Sequence, residues 1–393
     1  MEPSGAKRIF ISDIHMGDER TIPPNTIPPR YPYVWFNSNA RFLEDFLDCQ
    51  LKDDGVRKVI ILGDLFDRWV IPTDYDPVKN FENICDSDIN KQVIAKLRAL
   101  ANNRKLVYVP GNHDMAMNTA EMSQVKQFFD STFPQIDFRC DANPPLGRYD
   151  DEILVAEHGS RYCLFNAPDT WTNPPSFLPL GYFITRMIAY KVSTGATNND
   201  PRHIFLDLIE SMKERPTFVE DLFQVIADYC GLTDKSIFKL DGIPDYDEGT
   251  LTVGDVKERF RNLCSNWDDT PEAEKINSLM AAINERDTLY DAANCTYFFN
   301  GSSKDIVIFG HTHRPYMKGI PVADGIQTFD DDENACMKIY ANSGTWVDSA
   351  GEGGTYVETE EAEAKEGKRL YVRLKKYTRT EDVITDWGFV SVK

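Results

Sequence analysis

Paired cysteines are missing from this chain. Its eight cysteines, Cys49, Cys85, Cys140, Cys163, Cys230, Cys264, Cys295 and Cys336, never fall in a C-x-x-C spacing. That removes any signal for a disulfide framework or a thiolate zinc site. Positive charge is scarce as well: 43 Lys and Arg stand against 63 Asp and Glu, a formal net charge of −20. A nucleic-acid surface needs a basic footprint that releases counterions, and anionic membrane attracts basic segments, so neither partner is expected. A bound cation can still reverse the field locally and admit an anionic substrate. No apolar run reaches membrane-spanning length. The opening MEPSGAKRIFISD enters a strand-like segment without an apolar leader, and the expected setting is reduced and cytoplasmic.

What is present is a 393-residue chain, 41% apolar, which is enough to bury a substantial core. Five short runs read as strands: Arg8–Ser12, Lys58–Leu62, Leu106–Val109, Ile153–Ala156 and Ile306–Phe309. They are rich in Ile and Val and lack polar alternation, as strands covered on both faces do. Helical periodicity fills the gaps between the first three, over Asn39–Leu51 and Asp88–Leu100. The alternation points to βαβ units and an α/β sheet. Residues 168–298 change character: several segments with 3.6-residue periodicity read as an all-helical insertion. Thr270 before Pro271 and Thr252 with Asp255 supply start signals for two of its helices. The block is either a structural elaboration or oligomer contact, or a lid that selects the substrate. The strand pattern returns near residue 304, and KRLYVRLKKY and DWGFVSVK read as β. The acidic ETEEAEAKEGK (358–368) reads as a solvated hairpin tip or loop. The oligomeric state is left open.

Each of the five strand-like runs stops at residues able to hold a metal. They are Asp13-Ile14-His15, Gly63-Asp64 with Asp67, Gly111-Asn112-His113-Asp114, His158-Gly159 and His311-Thr312-His313. Five of the six histidines lie there; His203 does not. In an open α/β sheet the ligand crevice lies beyond the carboxyl ends of the strands, so these clusters can converge. Residues two apart on an extended backbone point the same way, which would aim each pair, Asp13 with His15 and His311 with His313, at a common point. Gly63, Gly111 and Gly310 would let backbones approach closely. Taken singly, an Asp after a strand is as well read as a helix N-cap, and a lone His as a satisfied polar residue. Five such ends in order are not. Asp13, His15, Asp64, Asn112, His158, His311 and His313 are too many ligands for one ion, whereas a carboxylate bridging two ions gives four to each. Such a pair suits phosphoryl-ester hydrolysis.

The ordered set D-x-H (13–15), G-D-x-x-D (63–67), G-N-H-D (111–114), H-G (158–159) and G-H-x-H (310–313) resembles the calcineurin-like metallophosphoesterases. The resemblance covers roughly residues 6–165 and 300–350. It implies a β-sandwich flanked by helices, with residues 1–167 and 299–393 forming that core. It implies two divalent ions, Mn²⁺ first and Fe or Zn²⁺ as alternatives. One ion would be held by Asp13, His15, Asp64 and His313. The other would be held by Asp64, Asn112, His158 and His311. His113 would face the substrate and protonate the leaving oxygen or stabilise transition-state charge. Asp114 would orient His113, and Asp67 would support a ligand from behind. The implied chemistry is in-line attack of a metal-bridging hydroxide on a small-molecule phosphate monoester or diester.

GDLFDRW (63–69) and GHTHRP (310–315) also look like a branch of that superfamily, the UDP-2,3-diacylglucosamine pyrophosphohydrolases. This chain departs from that branch at His113, at HGSRY and in its longer insertion. A non-catalytic scaffold on the same fold would have lost ligand positions that are all present here. Arg68, Arg161 and Arg314 adjoin the motifs and are candidates to grip phosphate.

Overall fold

The apolar runs form strands whose both faces are covered. β1 (Lys7–Ile11), β2 (Val56–Leu62) and β3 (Leu106–Val109) lie side by side and parallel. α1 (Ala40–Lys52) joins the first pair, and α2 (Glu82–Cys85) and α3 (Lys91–Asn102) lie in the second crossover. This is the βαβ arrangement that the alternating periods predict. α4 (Met122–Thr132) leads to the short strands β4 (Asp137–Phe138), β5 (Tyr149–Asp150) and β6 (Leu154–Ala156). α5 (Leu180–Ser193) opens the block between the two halves of the core, and β7 (Ile237–Lys239) and β8 (Thr250–Thr252) lie within it. β9 (Ile306–Phe309), β10 (Pro315–Ile320), β11 (Lys338–Ser343), β12 (Gly354–Ala364), β13 (Gly367–Tyr377) and β14 (Asp382–Val392) complete the chain. The computed structural model describes residues 6–23, 25–30, 34–78, 81–163, 165–168, 177–195, 222–243, 246, 249–260, 289–298, 304–320, 338–364, 367–379 and 382–392.

Two sheets result: a seven-stranded one in the order β14-β13-β12-β1-β2-β3-β4 and a five-stranded one in the order β10-β11-β9-β6-β5. Their inner faces share one buried cluster, in which Phe10, Ile60 and Leu62 of the large sheet join Ala156, Ile308 and Ala341 of the small one. α1 and α3 cover the outer face of the large sheet through residues such as Phe46 and Leu97. The helical turns over Leu289–Ala293 and Asn294–Phe298 cover the small sheet against Val155, Val307 and Phe309. The order is helix, sheet, sheet, helix. Each fully buried Ile, Leu, Val or Phe contributes roughly 1.5–3 kcal/mol, so the sandwich is a stiff platform for the loops at its strand ends. Among the described residues no helix is long and apolar enough to cross a membrane.

The inserted block has its own apolar cluster. α5 contributes Phe183 and Met187, and the helices Leu222–Tyr229 and Val253–Arg259 contribute Ile226 and Val256. Thr252 caps the last of these: its Oγ1 accepts from the Asp255 N–H at 3.0 Å while the Asp255 carboxylate accepts from the Thr252 N–H at 2.8 Å. The block is not all-helical. β7 and β8 pair antiparallel within it, two strands of three residues each, too short for alternation to show in the sequence. The segment 201–214, Thr270, Pro271 and His203 lie outside the described residues.

The acidic stretch fits its reading as a solvated hairpin tip or loop only in part: β12 and β13 pair as far as Ala364 and Gly367, but the stretch begins buried. Residues 358–364 continue β12, and Glu358 and Glu360 are only 6% and 4% exposed. Arg373 on β13 reaches both, at 3.0 and 2.7 Å, and Lys375 adds a contact to Glu358 at 3.2 Å. The cations lie 13–17 residues away in sequence, which is why the charge run looked solvated. Removing one partner of a buried ion cluster strands the others. Arg373→Met is therefore expected to cost roughly 3 kcal/mol in denaturant unfolding; an unchanged midpoint would show that the cluster is a bystander.

Candidate metal centre

The five strand ends meet at one place. Asp13 and His15 follow β1, Asp64 and Asp67 follow β2, Asn112 to Asp114 follow β3, His158 follows β6, and His311 and His313 follow β9. Backbone bonds stitch the first two ends together: the N–H groups of Ile14 and His15 both donate to the carbonyl of Asp64, at 2.9 and 2.8 Å. Gly310 N–H donates to the carbonyl of His158 at 3.0 Å, which ties the β6 end to the β9 end. All the candidate side chains from Asp13 to His311 are buried, and His313 is partly so.

The pairs converge, but not by extended backbone. Asp13, His15, Asp64, His311 and His313 have φ of +53°, +54°, +52°, +71° and +56°. All five are L-residues in the left-handed region, at roughly 1–2 kcal/mol each. Strain of this kind persists only where the surroundings over-determine it, and it collects at functional sites. Here the packed sheets supply the restraint.

The side chains form an electron-rich pocket. Asp67 accepts from His15 Nδ1 at 2.9 Å, so in a neutral ring Nε2 carries a lone pair. That atom faces His313 Nε2 at 2.9 Å, Asp64 at 3.6 Å and Asp13 at 3.9 Å. The carbonyl of Leu62 accepts from His158 Nδ1 at 2.7 Å, and His158 Nε2 faces Asn112 Oδ1 at 2.9 Å and Asp64 Oδ2 at 3.2 Å. Asp13 Oδ2 accepts from His311 N–H at 2.9 Å and from the Ser12 hydroxyl. Asp13 Oδ1 is buried, accepts no hydrogen bond and lies 3.2 Å from His313 Nε2. Acceptors crowded this way need cations between them. The trios Asp13-His15-His313 and Asp64-His158-His311 each have the spacing to hold an ion, and Asp64 reaches toward both. His15, Asp64 and His113 form a third trio of that spacing. The donor set of carboxylate, imidazole and amide oxygen without thiolate fits divalent Mn, Fe or Zn. His15 and His158 are each aimed by a bond from the other ring nitrogen, as ligating histidines are.

Without a cation, protons take the positive role. Burial disfavours a charged His15, but Asp13, Asp67 and Asp64 outweigh it and raise its pKa to about 10. His158, likewise desolvated, is raised to about 9 by Asp64. Burial, with His158 nearby, pushes His311 down to about 3. Asp64 and Asp67 are desolvated too, yet the surrounding imidazoles hold both carboxyls well below their usual range.

Of the two remaining aspartates, Asp67 backs His15 as the resemblance implies, whereas Asp114 does not have its implied role. Asp114 does not orient His113. Its carboxylate accepts backbone N–H groups of Gly111, Leu65 and Phe66, at 2.8, 2.7 and 3.2 Å, and so ties the β2 loop to the β3 loop. Burial and the nearby Asp64 raise its pKa. Asp67 holds the His113 ring instead, accepting from Nδ1 at 3.1 Å, and so supports both His15 and His113. Asn342, given no role from sequence, bonds the carbonyl of Gly310 at 2.7 Å and steadies the loop that carries His311.

Other neighbours had no sequence signal. Trp35 meets His15 edge-on with centroids 4.8 Å apart, Trp69 stacks on His113 at 4.3 Å, and Asn166 lies 3.5 Å from His311 Nε2. Only Trp69 sits inside a quoted motif. Of the candidate phosphate-gripping arginines, Arg68 is buried and paired with Glu121 at 2.7 Å, and Arg161 pairs with Glu157 at 2.9 Å. Arg314 is exposed.

Close approach of two loops fixes Asp64. Gly63, at φ +78°, and Gly111 touch each other, and a Cβ on Gly111 would collide with the Asp64 carboxylate. Gly111→Ala is expected to displace Asp64 and lower bound metal in elemental analysis at least about tenfold, comparable to losing a group that orients a ligand. Full metal content in a folded Gly111→Ala protein would contradict this placement.

Residues 6–182 match the model of the calcineurin-like phosphoesterase family. The match stops before β9, so His311 and His313 rest on the geometry above. No curated protein matches the chain. Among solved structures it is similar to the calcineurin-like phosphoesterase YfkN from Bacillus subtilis, at 11% identity over 98% of this chain and 89% of that one. The TM-score is 0.27, too low to weigh in the argument. The matched segment carries the ligands from Asp13 to His158, and with the ligand trios the match supports a calcineurin-like phosphoesterase, a metal-dependent hydrolase of phosphoric ester bonds.

Proposed function

We propose that the chain cleaves a small-molecule phosphate monoester or diester at two divalent cations. Asp13, His15 and His313 would hold one, Asn112, His158 and His311 would hold the other, and Asp64 would serve both. The observation that carries this reading is the buried Asp13 Oδ1, which accepts no hydrogen bond in a pocket where His15 Nε2 and His313 Nε2 face each other at 2.9 Å. When bound, the cations supply Lewis-acid charge for the phosphate oxygens and lower the pKa of a water.

The chain's own residues do the rest. His113 Nδ1 is committed to Asp67, which leaves Nε2 as the atom that carries a proton to the leaving oxygen. Asp67 holds the ring at Nδ1, and Trp69 fixes its plane. Arg68 and Arg161 are committed to carboxylates, so charge on the substrate is met chiefly by the cations.

The test is a metal-supplemented panel of p-nitrophenyl phosphate, its bis ester, cyclic nucleotides and a UDP-sugar lipid. At least one ester should turn over, a chelator should abolish the activity and Mn²⁺ should restore it. Turnover that survives complete removal of metal would contradict the proposal. Exclusive cleavage of the UDP-sugar lipid would favour a pyrophosphohydrolase instead.

A further inference from the structure

The inserted block touches the site from behind. Trp69 belongs to the block's apolar cluster with Tyr182, Phe183 and Met187 of α5. The same ring stacks on His113, at 4.3 Å and 25° between planes. The Tyr182 ring meets Trp69 edge-on at 5.8 Å. All of Trp69, Tyr182 and Arg186 are fully buried.

Arg186, one turn after Tyr182, holds the segment that follows Trp69. Its guanidinium donates to the carbonyls of Ile71 at 3.3 Å, Pro72 at 3.0 Å, Thr73 at 3.4 Å and Tyr75 at 2.6 Å. It also donates to the Tyr182 hydroxyl at 3.0 Å and to the carbonyl of Lys239 on β7 at 2.6 Å. Among the described residues no carboxylate pairs with it. A buried cation satisfied only by carbonyl and hydroxyl oxygens is costly unless all five N–H groups are used, and here they are. The same segment is gripped a second time: Arg30 donates to Ser193 of α5 at 2.7 Å and pairs with Asp74. At its other end Asp67 accepts the N–H groups of Trp69 and Val70, at 2.8 and 2.9 Å.

Resting on the reading of His113 as proton donor, we propose that the insertion is part of the catalytic apparatus: α5 sets the plane of His113 through Trp69, which makes Trp69 and Arg186 positioning residues. Trp69 packs one side of the imidazole while Asp67 fixes Nδ1, so together they define where Nε2 points. Arg186 keeps Trp69 in register by clamping residues 71–75. A lysine there offers three donors and no planar fork, and cannot reproduce the clamp.

The experiment compares metal-loaded wild type, Trp69→Leu, Trp69→Phe, Arg186→Lys and His113→Asn on p-nitrophenyl phosphate and phenyl phosphate. Elemental analysis and thermal melts run alongside. Phenolate is the poorer leaving group and depends more on the proton from His113. Trp69→Leu and Arg186→Lys should therefore lose about tenfold more kcat on phenyl phosphate than on the nitrophenyl ester, with metal content unchanged. Trp69→Phe, which keeps a ring to stack, should recover most of the loss. In a His113→Asn background Trp69→Leu should cost little more, because both changes act through one group. Equal losses on the two esters, or losses that add fully to that of His113→Asn, would overturn the inference and leave the phosphoesterase reading standing. Loaded wild type that cleaves neither ester while the wider panel also fails would overturn both.

Discussion

Asp64→Asn is expected to lose the bridge and with it the metal pair. Asp64 is the carboxylate that faces both halves of the pocket, 3.6 Å from His15 Nε2 and 3.2 Å from His158 Nε2. Asparagine keeps the shape, tolerates the left-handed backbone at this position, and its Oδ1 can still accept from the His113 N–H now at 2.9 Å from Asp64. The fold should therefore survive while the charge between the cations disappears. Lewis-acid stabilisation is worth several kcal/mol, so kcat/KM should fall roughly 10³-fold or more. Metal content should fall from about two ions per chain to one or fewer. Two tightly held ions in folded Asp64→Asn would remove Asp64 from the bridging position.

His113→Asn should behave differently. His113 is 7% exposed and reaches the mouth of the pocket beside the partly buried His313, while Asp13, His15, Asp64, Asn112, His158 and His311 are more deeply buried. Proton transfer by a positioned side chain is typically worth roughly 10²–10⁴-fold. The variant should lose that much kcat, most on esters with poor leaving groups, and keep its metal. The contrast separates the two roles: Asp64→Asn loses ions and rate together, His113→Asn loses rate alone. If His113→Asn also sheds an ion, the trio of His15, Asp64 and His113 is a ligand set and His113 is no proton donor.

Much of this site was legible because parallel strands buried on both faces leave unbroken apolar runs. Polar residues that follow such a run at once stand out, as Asp13 and His15 do after Ile11, and the topology then forces them together. Spacing carried no information about backbone hand. Asp13-x-His15 looks like an extended pair and is two left-handed residues, a conformation set by the neighbouring β2 end and the packing beneath it. Nor could spacing say which aspartate serves His113. Asp67 and Asp114 both adjoin motifs, yet the nearer in sequence turns to the backbone and the one 46 residues away reaches the ring. Charge pattern misled at Glu358 and Glu360, whose neutralising cations arrive from the next strand. The contribution of α5 was hidden for a related reason: an apolar helix face states that it is covered, not that Trp69 of another segment covers it.

The most direct measurement is metal-loaded crystallography with anomalous scattering at the absorption edge of the bound ion. Two peaks about 3.5–4 Å apart, one contacted by Asp13, His15 and His313, the other by Asn112, His158 and His311, and both by Asp64, are the expected result. A single peak, or ions held anywhere but between these residues, would contradict the account.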